Sequence, residues 1–175
     1  MRTYSVHGPF RIVKQKNGHV NKGKDSMHTF WAKVQEEDES LPSACGCYLF
    51  AIKAGKGIRP WYVGIAEKQS FESECFSLHK LNIYNEVLVG KKGTPTLFLV
   101  AKRTNGGKLA KPSRNRSRTS RFLESLLIGA AIEKNSKLMN IQKTSFLRKL
   151  SVPSLINSPK RRYSRAETAF RQAIK

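Results

Sequence analysis

The chain has 175 residues, and its 33 Lys and Arg against 12 Asp and Glu give a formal charge of +21 and a pI near 10.3. This length suits one domain with a sizeable core, and a hydrophobic share of 39% excludes a polycation that is disordered throughout. A charge so far from zero is typical of proteins that bind a polyanion, most often nucleic acid. A generic basic protein, such as a ribosome-associated or other RNA-binding component, is the alternative that composition leaves open.

The sequence contains no run of 18 apolar residues, and its first residues lack the apolar segment of a signal peptide. We therefore expect no membrane partner and a cytoplasmic location, associated with the nucleoid if the source is bacterial. Cys45, Cys47 and Cys75 are odd in number and lack a framework of spacings, so we expect reduced thiols. A zinc site that combines them with a histidine is a less favoured alternative, because a C-x-C pair alone is weak evidence for metal ligation.

Residues 1–43 are predicted to form an N-terminal extension that packs on the core. Within it, Pro9–Lys14 is interpreted as an edge strand, because Pro can begin one. The acidic run Glu36–Glu39 is interpreted as a solvated turn or helix start, since four consecutive residues cannot converge on one metal ion.

Two short apolar runs, Cys47–Ile52 and Trp61–Ile65, predict a β-hairpin. Both are rich in aromatic and β-branched residues, and the Gly- and Pro-containing segment Ala54–Pro60 separates them as a turn. Thr94–Ala101 has Pro95 at its entry and an apolar interior, so it is predicted to be a third, buried strand.

Helical periodicity appears in three segments. Phe71–Val89 follows Ser70, a predicted N-cap, and Asn82 or Asn85 is expected to break it into two helices. The clearest helix is 119–135, with a core stripe that we place at Phe122-Leu123, Leu126-Leu127 and Ala130-Ala131. Residues 153–175 form a basic C-terminal tail that ends in a helix over Arg165–Ile174.

The positive charge is concentrated between Glu86 and Glu124, where the sequence has no acidic residue. Residues 102–121 in this interval are predicted to be a functional or disordered loop, because they are rich in Gly, Ser and Arg without apolar periodicity. Such a one-signed segment suits contact with a phosphate backbone, although a merely solvated basic loop is also possible. The candidate nucleic-acid-binding residues are Lys80 together with Lys102, Arg103, Lys108, Lys111, Arg114, Arg116, Arg118 and Arg121.

Glu124 is the one carboxylate within this cationic part of the sequence. Leu127, Ile128 and Ala131 follow it at helical spacing, which places the carboxylate on an apolar flank of its helix. Burying an ionised carboxylate is costly in free energy unless a metal ion or a cationic side chain pairs with it. Mg²⁺ with several waters and an ion pair with a neighbouring Arg are both consistent with the spacing.

At this point the chain resembles the GIY-YIG nuclease domain. Gly46-Cys47-Tyr48 stands where that family has its first triplet, and Tyr62-Val63-Gly64 stands where it has the second. His79 falls at a position that the family often fills with His or Tyr, Glu124 matches the metal ligand, and Asn140 matches an Asn about fifteen residues later. The order strand, strand, helix, strand, helix also matches.

The resemblance covers roughly residues 44–142, within a core that we assign to 44–152. It implies an α+β fold with a small central antiparallel three-stranded sheet flanked by helices. It also implies a metal-dependent endonuclease that hydrolyses phosphodiester bonds with Mg²⁺ or Mn²⁺, with DNA as the expected substrate and RNA as the alternative. The oligomeric state stays open.

The resemblance also implies roles for individual residues. Glu124 would bind the metal, Tyr48 would act as general base for the attacking water, and Tyr62 would orient the water or phosphate. His79 would share the base role or bind phosphate. Gly46, Gly64 and Asn140 would serve as structural parts of the motif. Without the other motif residues, Tyr48 and Tyr62 would be interpreted as aromatic residues that only pack on the sheet, since aromatic residues are common in strands.

The chain departs from the family's pattern at one important position. An Arg normally lies on the first helix, four residues before the His or Tyr position, and Cys75 stands there instead. That Arg would neutralise transition-state charge, and Lys80, Lys68 or a residue of the basic loop could substitute for it, although a Lys lacks the bidentate guanidinium. The alternative function is therefore a degenerate member that binds nucleic acid without cutting it.

Overall fold

The structure, a computed structural model, describes residues 3–140, 144–145, 149–155, 158 and 160–174. Its strands are β1 (Tyr4–Arg11), β2 (Gly46–Ala54), β3 (Gly57–Ala66) and β4 (Thr94–Lys102). Its helices are α1 (Lys24–Glu37), α2 (Phe71–Glu74), α3 (Leu78–Leu88), α4 (Arg118–Lys134) and α5 (Arg165–Ile174). The α+β class predicted from the sequence is confirmed.

The strands form one antiparallel sheet in the order β1-β4-β2-β3. The prediction of three strands is wrong by one, because β1 pairs with β4 and extends the sheet. An edge strand was expected at Pro9–Lys14, but the observed strand begins earlier, at Tyr4. Most of its side chains are exposed or half-buried, so its sequence lacks the apolar run that marked the other strands.

The β2–β3 hairpin is longer and tighter than the sequence indicated. Only Gly55 and Lys56 lie between the strands, whereas 54–60 was expected to be a turn. Pro60 lies within β3, which is tolerated because β3 is an edge strand. The pairing shifts between Phe50 opposite Tyr62 and Ala51 opposite Pro60, which leaves Trp61 as the extra residue of a β-bulge.

The two faces of the sheet pack against different helices. Tyr48, Phe50 and Tyr62 belong to the main core, which also includes apolar residues of α1, α2 and α3. Val63 belongs instead to a smaller cluster with Ile128 and other residues of α4. Side chains alternate along each strand, so α4 and the helices α1 to α3 cover opposite faces.

The segment after β3 starts as predicted but divides at a different place. The Ser70 side chain accepts a hydrogen bond from the Ser73 backbone N–H, which confirms the N-cap. The break falls between Glu74 and Leu78, and α3 continues through both Asn82 and Asn85. Asn85 stays helical and its side chain accepts a 2.8 Å hydrogen bond from the Val20 backbone N–H.

Helix α4 matches its predicted bounds to within one residue, but its predicted core stripe is wrong apart from Ala131, which is buried, and Leu127, which is partly buried. Phe122 and Leu126 are 67% and 54% exposed. The buried face consists of Ser120, Glu124, Ile128, Ala131 and Ile132. Apolar residues occur on more than one side of this helix, and two polar residues lie on the side that packs, so counting apolar positions selected the wrong face.

Helix α5 confirms the predicted C-terminal helix, and none of its residues is buried. Among the described parts of the chain, no helix has the length and apolar character needed to cross a membrane.

Candidate active site

Tyr48 lies in the core, directly over Gly64. The two residues are cross-strand partners, and a Cβ on Gly64 would stand 2.2 Å from Cζ of the Tyr48 ring. The Tyr48 hydroxyl is buried and has no hydrogen-bond partner among the described residues. Burial raises the pKa of this phenol well above its ordinary value, and neighbouring Tyr84, Cys75, Tyr62 and Glu74 act in the same direction. A general base needs the opposite shift, so this environment does not support Tyr48 in that role.

Tyr62 differs from Tyr48 in that its hydroxyl has a charged partner. The Lys80 ammonium donates a 2.8 Å hydrogen bond to the Tyr62 hydroxyl, and its nitrogen lies 5.1 Å from the ring centroid. Lys80 also lies 3.5 Å from a Glu74 carboxylate oxygen. Burial alone would lower the pKa of Lys80, but Tyr62 and Glu74 outweigh it and raise that pKa. Lys80 is therefore held as a cation against the Tyr62 oxygen.

The position of the absent Arg is closed to substrate. Cys75 is fully buried in the core, and burial raises the pKa of its thiol well above the ordinary value. Lys80, five residues further along the chain, brings a positive charge to Tyr62. Lys80 is one of the residues that the sequence offered as a substitute for the Arg.

His79 does not join this group. It is exposed at the start of α3, whereas Leu81, Tyr84 and Val87 make up the buried side of that helix. In the part of the chain that the structure describes, no hydrogen bond connects His79 with Tyr48 or Tyr62.

Glu124 is buried, 7% exposed, on the inner side of α4. Ile128, four residues later on the same side, packs with Val63 on the face of the sheet opposite Tyr48 and Tyr62. The four expected catalytic residues therefore do not converge: Tyr48 and Tyr62 share one face, Glu124 lies on the other, and His79 is at the surface.

Asn140 holds the edge of β3. Its side-chain amide donates a 2.6 Å hydrogen bond to the Val63 carbonyl, and its side-chain oxygen accepts a 2.9 Å bond from the Val63 N–H. Asn135 donates similarly to the Pro60 carbonyl, and the Met139 N–H donates to the Trp61 carbonyl. Residues 135–140 thus satisfy backbone groups that an edge strand would otherwise expose.

Gly46 is also required by packing. A Cβ there would lie 2.1 Å from the Val100 carbonyl oxygen on the neighbouring strand β4. Both motif glycines are therefore needed for steric reasons. A side chain at Gly46 would collide with a backbone carbonyl, and one at Gly64 would collide with the Tyr48 ring.

The basic loop spans residues 103–117 and is mostly exposed. Lys102 Nζ donates to Ser117 Oγ at 3.1 Å, and the Arg103 guanidinium donates to the Gly107 carbonyl at 2.6 Å. Lys102, Arg116 and Arg118 line a shallow cavity of about 380 Å³. The remaining predicted phosphate contacts, Lys108, Lys111 and Arg114, are exposed.

Arg121, which was also predicted to contact phosphate, forms an ion pair with Glu67. Its guanidinium donates to both carboxylate oxygens of Glu67, and the Ser117 N–H also donates to Glu67. Burial alone would raise the pKa of Glu67, but the Arg121 and Ser117 bonds prevail and lower it. Glu67 thereby fixes the start of α4 to the end of β3, a contact that the sequence analysis missed because the partners are 54 residues apart.

Glu124 is the one residue to which the sequence assigned a metal. Among the described residues, no group of three or more His, Cys, Asp or Glu side chains is arranged to hold a metal. The cysteines considered for a zinc site are therefore not arranged as one. The Cys45 and Cys47 thiols instead donate to the Lys111 and Ser120 carbonyls. A single buried carboxylate supplies one hard oxygen ligand, which fits Mg²⁺ with the rest of its shell as water.

No family model, curated protein or solved structure matches this chain. The likeness to GIY-YIG nucleases rests on the motif residues and on the order of the elements.

Proposed function

We propose that this protein is a metal-dependent endonuclease that hydrolyses phosphodiester bonds in DNA. The observation that carries the proposal is the contact between Lys80 and Tyr62, a cation on a tyrosine hydroxyl within the second motif triplet. It supplies the positive charge that the motif lacks at Cys75. The formal charge of +21 supports a polyanionic substrate.

In this proposal the Tyr62 phenolate, rather than Tyr48, accepts the proton of the attacking water and becomes the neutral phenol. The Lys80 ammonium stabilises negative charge on the Tyr62 oxygen and then on the phosphate. Glu124 is the residue that would hold Mg²⁺ or Mn²⁺, which would supply Lewis-acid chemistry when bound, and it lies across the sheet from Tyr62 and Lys80. Tyr48 contributes by packing on Gly64 and so shaping the hairpin.

A second candidate function is nucleic-acid binding without cleavage. The observation that favours it is the separation of Glu124 from Tyr48 and Tyr62 by the sheet. Lys102, Arg116 and Arg118 would support binding in either case, because phosphate contacts do not depend on a reaction.

Incubation with supercoiled plasmid and Mg²⁺ distinguishes the two candidates. The endonuclease proposal expects nicking that Glu124→Gln and Tyr62→Phe abolish while salt-sensitive DNA binding persists. Retained binding without nicking at any Mg²⁺ or Mn²⁺ concentration would establish the second candidate instead.

A further inference from the structure

Trp61 is placed by the β-bulge in β3. Regular alternation would point Trp61 and Tyr62 to opposite faces, but both belong to the same core cluster. The register shift between Phe50 and Ala51 accounts for this, because a bulge re-aims the extra side chain. The indole consequently borders a cavity near the tip of the hairpin.

That cavity has a volume of about 400 Å³, within the range of small-ligand pockets. Its apolar lining comes from Ile52, Ala54 and Trp61, and the other residues that line it are Arg59, Lys91, Lys92 and Lys137. None of the described residues that line it is acidic. An adjoining cavity of about 510 Å³ adds Lys134.

The cations lie close to the indole. Lys91 Nζ is 4.6 Å from the Trp61 ring centroid, and the Arg59 guanidinium carbon is 5.4 Å from it. Arg59 is held by a 3.1 Å hydrogen bond to the Asn135 side-chain oxygen. Trp61 is 7% exposed, so a base reaches its ring where it displaces the Lys91 ammonium from the ring.

An aromatic ring surrounded by cations is the arrangement with which proteins hold unpaired nucleotides, the base on the ring and the phosphates on the ammonium and guanidinium groups. The geometry points to a single-stranded DNA site at this place, in which one base stacks on Trp61 and its flanking phosphates contact Arg59, Lys91 and Lys92. It lies at the hairpin tip and shares no lining residue with the Lys102 cavity. This inference rests on the proposed function, which supplies DNA as the partner. It adds that the DNA strand bound beside Tyr62 is unpaired.

The test is binding of a fluorescently labelled oligothymidylate of roughly 12 nucleotides to the full chain in EDTA, where metal-dependent cleavage is silent. Anisotropy gives the affinity, and protein fluorescence reports on the indole. Trp31, the other tryptophan, is as buried as Trp61 and packs against Phe30 and Phe76, so the loss of quenching in a Trp61 variant assigns the signal. Trp61→Leu is expected to lower the affinity about tenfold or more and to remove the quenching, whereas Trp61→Phe keeps a stacking surface and most of the affinity.

Charge variants provide a version of the test that leaves the core intact. Lys91→Gln with Lys92→Gln should weaken oligothymidylate binding several-fold and reduce its salt dependence, and Lys24→Gln with Lys33→Gln, at two exposed positions of α1, is the matched control. Unchanged affinity in these variants and in Trp61→Leu, or equal quenching by polyglutamate, would overturn the inference.

The inference and the proposed function fail in different ways. Salt-sensitive DNA binding that leaves Trp61 fluorescence unaltered would overturn the stacking site alone. Quenching by oligothymidylate without any plasmid nicking in Mg²⁺ would support the stacking site and overturn hydrolysis alone.

Discussion

The Lys80 ammonium lies 2.8 Å from the Tyr62 hydroxyl and 3.5 Å from a Glu74 carboxylate oxygen, so a phenol, a cation and a carboxylate form one chain of contacts. This group lies on the side of the sheet that α3 covers. It joins a motif tyrosine to a residue that the motif does not contain.

Replacing Lys80 should affect catalysis more than folding. Lys80→Met keeps most of the side-chain length but removes the charge from Tyr62, and we expect plasmid nicking to fall by about 10²-fold. Lys80→Arg restores a cation and should recover part of the activity. Equal nicking by all three proteins would show that the Tyr62 contact plays no part in the reaction.

Gly64→Ala should destabilise the fold, because its Cβ would stand 2.2 Å from the Tyr48 ring. We expect a loss of about 1–3 kcal/mol in the free energy of unfolding, measured by urea denaturation. Gly57→Ala in the same strand is the control, since its Cβ would have only an ordinary 3.7 Å contact with a carbonyl oxygen. If the two variants are equally stable, Tyr48 does not pack on Gly64 as described.

Asn140→Leu removes both hydrogen bonds to Val63 and leaves that backbone pair without its partner. We expect a loss of about 2–4 kcal/mol in the free energy of unfolding. Asn82→Leu, at an exposed position on α3, should change it by less than about 0.5 kcal/mol. A small effect at Asn140 would mean that residues 135–140 do not hold the edge of β3.

Glu67 should make stability depend on acid. Its folded-state pKa lies below the ordinary value of 4.5, so its contribution is fully present above that value. The contribution is lost as pH falls through the lower folded-state pKa, where the carboxylate takes up a proton. Wild type should therefore exceed Glu67→Gln in urea midpoint at pH 7, and the difference should shrink towards pH 3.

Exposed Glu72 supplies the control for that experiment. Glu72→Gln removes one carboxylate from the surface of the first turn of α2, so it shows at both pH values what the loss of a carboxylate without the Arg121 and Ser117 bonds does. A Glu67→Gln difference that grows on acidification would contradict the depressed pKa.

The sequence was sufficient for elements with strong local signals. Ser70 marked the start of α2, the run at Thr94–Ala101 marked β4, and helix α4 was located to within one residue. Each of these depends on neighbours in the chain, such as a cap or an unbroken apolar run.

Features that depend on distant partners could not be predicted in this way. The bulge at Trp61 depends on pairing with β2, and the buried polar side of α4 depends on β1, whose Tyr4 hydroxyl shares a 2.9 Å hydrogen bond with Ser120. The motif placed Tyr48 and Glu124 in one site by analogy. Packing instead buries the Tyr48 hydroxyl and places Glu124 on the opposite face of the sheet.

Nicking of supercoiled plasmid in Mg²⁺ by four proteins tests the central claim most directly: wild type, Tyr48→Phe, Tyr62→Phe and Glu124→Gln. We predict that Tyr48→Phe nicks at the wild-type rate and is equally or slightly more stable, because it loses only a buried hydroxyl without a described partner. Tyr62→Phe and Glu124→Gln should lose at least about 10²-fold in rate. An inactive Tyr48→Phe beside an active Tyr62→Phe, or the absence of nicking by wild type, would contradict the account.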